Sequence, residues 1–269
     1  MAIDAGARAR LLSASLLLAA CSSPSPPPKN VATAPASLAI APDQPLGWIG
    51  IAPRATNDAA DWIPAGTQSV LVPMPAEGLA AGAALTAVDR SGRSARVTAG
   101  AATKVPYGCE NHRLDALAFT GERFAPGAVW LLSPAAPASW RPRSLAIASP
   151  VSASATRRRD TVGPLALELA RSDASHGTLT ISRDGRAIHT AAIDRPAMDG
   201  ADLAPLDLQA PGVAIPQPVA AWSIGDGGPI LLVLEVPSFE GIHLNALLIE
   251  SDRARELPTM AAYLYQCAF

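Results

Sequence analysis

Residues Pro229–Val236 read PILLVLEV. Every position from 230 to 234 is apolar. Successive side chains of a strand point to opposite faces, so a strand here must bury both of them. A lone sheet with one wet face cannot provide that cover. Val219–Ile224 and Ile242–Glu250 flank this run, and GDGG and PSFEG read as the turns between them. Together the three segments predict an antiparallel meander, with Pro229–Val236 in the middle and packed layers above and below.

The rest of the chain agrees with a strand-rich reading. Short apolar runs, broken by Gly, Pro, Asp and Ser, predict strands at Gly47–Ile51, Gln68–Pro73, Ala84–Asp89, Ala95–Ala99, Leu114–Phe119 and Ala128–Leu132. Asp89–Ser94 (DRSGRS) reads as a tight turn between two of them. TLTISRDGRAIHT is a hairpin signal centred on Asp184-Gly185. A straight register sets Ile181 opposite Ile188 and Thr180 opposite His189. No long segment carries a stripe of period 3.6, and Pro258–Tyr263 reads as either a short helix or a final strand. The expected fold is all-β, an antiparallel two-layer sandwich or barrel with few short helices. Two β-rich portions are expected, 46–150 and 160–269. They are separated by a run of small residues that ends in Thr156–Asp160 (TRRRD), read as a solvated basic loop.

The N-terminus is of a different kind. Arg8 and Arg10 precede an apolar core, Leu11–Ala20, which is too short for a bilayer that needs roughly 20 apolar residues. Small residues Ala19 and Ala20 stand immediately before Cys21. Leu18-Ala19-Ala20-Cys21 resembles the lipobox of bacterial lipoprotein precursors. The resemblance covers only the first part of the chain. It implies that residues 1–20 are a signal peptide and that Cys21 becomes the lipidated N-terminal residue. In that class Ser22 implies the outer membrane, facing the periplasm. Residues 21–45 are rich in Pro, Ser and Ala and read as an extended tether that cannot bury a core. The membrane is thus one expected partner, through the lipid, and no transmembrane helix is needed.

Two cysteines remain, Cys109 and Cys267. An even pair in an oxidising compartment predicts a disulfide. His112 follows Cys109 by three, but one such pair is too little for a metal site, and no metal is expected. The formal net charge of −2 argues against a nucleic-acid partner.

Motifs that carry chemistry are missing. There is no nucleophile elbow, zinc-binding His-Glu helix motif, phosphate loop or dinucleotide fingerprint, and no cofactor is expected. His112, His176, His189 and His243 are scattered singly. The weak catalytic candidates are Glu240 and His243 in PSFEGIHLN, where a carboxylate could orient an imidazole. The plainer reading makes Glu240 part of a turn and puts His243 and Asn245 on the strand's polar face. Asp194, Asp199, Asp202 and Asp207 lack the spacing that converges oxygens on calcium. The five tryptophans are expected mostly in cores. The reading that follows is an outer-membrane-anchored envelope lipoprotein acting as a binding, assembly or scaffolding module on an unidentified protein or small molecule. The alternative is a periplasmic hydrolase with a site near Glu240 and His243.

Overall fold

A computed structural model describes residues 46–51, 68–73, 76, 78–106, 113–121, 129–134, 142–194, 206, 208–209, 215–238 and 241–265. Six strands come first: β1 (Trp48–Ile51), β2 (Gln68–Pro73), β3 (Ala84–Asp89), β4 (Ser94–Pro106), β5 (Arg113–Gly121) and β6 (Val129–Pro134). They form a closed barrel in the order β1-β2-β5-β4-β3-β6. Its seam is the β1–β2 contact, described by the single pair Ile51↔Leu71. Trp48, Leu85, Val97, Leu117, Phe119, Trp130 and Leu132 fill the interior together with the small residues Ala87, Ala95 and Ala99.

The chain then builds two sheets. After β7 (Pro142–Ser144) come β8 (Ile147–Ala153), β9 (Arg157–Val162), β10 (Leu165–Arg171), β11 (His176–Arg183) and β12 (Arg186–Asp194). The last five form a five-stranded sheet in the order β12-β11-β10-β9-β8. Next are β13 (Gln217–Ile224), β14 (Ile230–Ser238), β15 (Gly241–Ile249), β16 (Ala254–Glu256), a single 3₁₀ turn at Pro258–Met260, and β17 (Ala262–Tyr265). These strands and β7 make the third sheet, in the order β16-β15-β14-β13-β7, with β17 also paired to β15. Every pairing among the described strands is antiparallel. The fold is all-β, as the patterning implies, and it combines a barrel with a sandwich. Among the described residues, no helix is long and apolar enough to cross a membrane.

The sheet containing β14 is the middle layer. Leu231 and Val233 face one way and pack with Trp222, Leu244, Ala246 and Leu248 against Ile49, Val88, Val129 and Leu131 on the outer wall of the barrel. Ile230, Leu232 and Leu234 face the other way, onto Val162, Leu167, Leu169, Leu179 and Ile181 of the five-stranded sheet. β14 lies between β13 and β15, and the consecutive apolar run is buried on both faces. β6 shows the same double burial: Trp130 and Leu132 point into the barrel, while Val129 and Leu131 face the middle sheet. Polar ties add to this packing. Trp222 Nε1 donates to the Asp89 carbonyl at 3.1 Å, the Ser144 hydroxyl meets the Arg90 carbonyl, and Arg183 Nη1 donates to the Glu250 carbonyl at 3.0 Å.

The structure departs from the sequence reading at three places. TRRRD is no loop: Arg157–Asp160 lie in β9, with Arg158 and Asp160 buried and Arg157 and Arg159 exposed. The expected division at 150–160 falls within one sheet, because β8 and β9 pair across it. The change of architecture comes instead between Pro134, where the barrel ends, and Pro142. The hairpin at Asp184-Gly185 forms with positive φ at both residues, 50° and 77°, as a primed turn requires. Its register is straight only near the turn. A bulge beyond Ser182↔Ala187 puts Ile181 opposite His189 and Thr180 opposite Thr190. At the C-terminal end both readings of Pro258–Tyr263 hold in part: a 3₁₀ turn comes first and a strand follows it.

Candidate functional site

β15 alternates between inward and outward side chains at its start. Leu244 is buried, while His243 and Asn245 are exposed on the opposite face. On that face Leu247 and Ile249 are covered by the five-stranded sheet, so only the end near His243 is left open. Register places Tyr263 of β17 and Val236 of β14 on either side of His243. Tyr263 is 42% exposed, and its ring centroid lies 4.7 Å from that of His243 with the planes tilted by 38°. This is an imidazole in contact with a phenol ring beside a carboxamide, on an open sheet face. The expectation that His243 and Asn245 share the polar face holds. Glu240, its suggested partner, lies outside the described residues.

The other histidines stand elsewhere. His176 opens β11 in the five-stranded sheet, and its Nδ1 lies 2.8 Å from Asp173 Oδ1. That carboxylate also accepts from the backbone N–H groups of Ser175 and His176, at 2.8 and 2.9 Å. The Ser175 amide first, and then the His176 ring, hold the Asp173 carboxyl below its ordinary value. His189 is half-buried on β12. No group of three or more potential metal-binding side chains occurs among the described residues. Trp48, Trp130 and Trp222 are buried in cores, as expected. Asp194 ends β12 and is exposed. Cys21, Cys109, Cys267, His112, Trp62, Trp140, Asp199, Asp202 and Asp207 lie outside the described residues.

One cluster escaped the sequence reading. Arg158 and Asp160 share the inward face of β9 with Val162 and are 1% and 0% exposed. Arg158 Nε lies 3.2 Å from both carboxylate oxygens of Asp160. Arg158 Nη2 donates to Ser149 Oγ at 2.8 Å, and that hydroxyl donates to Asp160 Oδ1 at 2.8 Å. Arg158 Nη1 is buried with no hydrogen-bond partner among the described residues. The guanidinium and the carboxylate thus face each other inside the core, each with the other and Ser149 as hydrogen-bond partners. The signal was the alternation Arg158, Asp160, Val162. It becomes visible only once the segment is read with period 2, and three consecutive arginines argue against that reading.

No family model matches the chain, and no curated protein or solved structure matches it significantly.

Proposed function

We propose that this protein is an envelope lipoprotein, anchored in the outer membrane by acylated Cys21, whose β-rich body is a binding, assembly or scaffolding module facing the periplasm. The observation that carries the reading is Leu18-Ala19-Ala20-Cys21 behind a short apolar core and two arginines. The acyl chains supply the anchor, each buried methylene contributing about 0.8 kcal/mol. Residues 21–45, rich in proline, hold the body away from the lipid surface. The exposed His243 beside Tyr263 and Asn245 supports a binding surface on the body of the module.

Mass spectrometry of the N-terminal peptide tests the anchor. Cleavage after Ala20 with added acyl mass on Cys21 is expected, and Cys21→Ser should move the protein from the membrane to the soluble fraction. Ser22→Asp should shift it from outer to inner membrane. An unmodified Cys21 in membrane-extracted protein would end this reading. The module half is tested at His243. Alanine there should leave every hydrolytic activity of the purified protein unchanged, and a specific loss of activity with the fold intact would favour the hydrolase.

A further inference from the structure

β8 is an edge of the five-stranded sheet, and an edge strand presents unpaired backbone groups to any other strand. Its pairing with β9 is irregular. Ala148 pairs with Thr161 and Ser152 with Arg159, so Ser149, Pro150 and Val151 all stand opposite Asp160 alone. The strand must bulge there. Pro150 contributes no N–H, and Val151 is 55% exposed. Such a bulge disrupts the ladder and bends an edge away from flat pairing.

We propose that the buried Arg158–Asp160 pair, acting through Ser149, holds this bulge in place and so keeps the β8 edges of two copies from pairing. Ser149 begins the bulge, and its hydroxyl bonds to both members of the pair. Their near-complete burial ties that bond to the core of the sandwich rather than to solvent. Stability alone gives no reason to keep the pair. Charges taken out of water are replaced by apolar residues of similar volume with little loss or a gain, and Val162, Leu167 and Leu169 already line this side of the sheet. A specific tether on the edge strand is what aliphatic residues cannot supply.

The test compares the full chain with Arg158→Met/Asp160→Leu and with Ser149→Ala. The double variant should keep its tryptophan fluorescence and melting temperature. In sedimentation velocity across a concentration series it should self-associate at least tenfold more tightly than the unaltered chain. Adding Val151→Lys should reverse the association, because a charge on an exposed edge opposes strand pairing. If the double variant does not fold, Ser149→Ala carries the same expectation. A folded variant that sediments like the unaltered chain would overturn the proposal. So would association that survives Val151→Lys, or failure of both variants to fold.

Discussion

At the scale of single residues, the most consequential pair is Arg158 and Asp160. Removing one partner leaves the other charged, buried and unpaired. Arg158→Ala or Asp160→Ala should each destabilise the protein by about 3–5 kcal/mol, read as a lower urea midpoint at unchanged m-value. Losses near those of surface substitutions would mean that the charges reach water. Asp173 predicts a different response. Its carboxyl lies below the ordinary value because the Ser175 amide and the His176 ring bind the ionised form. The contribution of this turn is therefore fully present above the ordinary carboxylate value, and it is lost as pH falls through the lower, folded-state value. An NMR titration should place the Asp173 inflection below that of the unfolded chain. Asp173→Asn should remove the acid-linked shifts of the Ser175 and His176 amides. An inflection at or above the unfolded value would contradict the geometry.

At the scale of elements, the turns and strand entries depend on glycine for two separable reasons. Gly185 sits at φ +77° in the β11–β12 hairpin, with open space where a Cβ would stand. Gly185→Ala meets only the left-handed backbone penalty, about 1 kcal/mol. Gly47, at φ +147° before β1, approaches β6 so closely that a Cβ would lie 2.2 Å from the Leu132 carbonyl oxygen. Gly47→Ala adds that clash to the strain and should cost more, about 2–3 kcal/mol. Denaturant unfolding of the two variants should preserve this order, and equal losses would show that β1 can move away from β6. Elements with strong apolar patterning were legible in the sequence. Gln68–Pro73 and Ala84–Asp89 match their predicted bounds, and β14 shifts by only a residue or two at its ends. β8 and β9 were not legible. One is made of small residues and the other of arginines, and neither gives a hydrophobic period.

For the whole molecule, the middle sheet joins the parts, because one face covers the barrel wall and the other covers the five-stranded sheet. The described residues accordingly fall within one compact unit. A covalent tie between Cys109 and Cys267 is proposed in addition, from their even number and the export proposed above. It would close a loop of roughly 160 residues, for which the chain-entropy model gives about 5 kcal/mol. A non-reducing peptide map should recover the two cysteines in one linked fragment, and reductant should lower the melting temperature. Two free thiols in the folded protein would remove the tie.

Local pattern alone determined the all-β character, the two-sided burial of residues 230–234, the hairpin at Asp184-Gly185 and the solvent-facing side of His243. Each follows from period-2 patterning or from backbone freedom at one or two positions, and neighbours in sequence suffice for both. Only the tertiary structure decided that the first six strands close on themselves, that a bulge resets His189 against Ile181, and that Arg158 is a core residue. Closure depends on β1 meeting both β2 and β6. Arg158 can be buried only because Asp160 and Ser149 converge on it from two paired strands. A charged side chain enters a core when its partners are already in place, and the partner on β8 is set by a register that no local pattern contains.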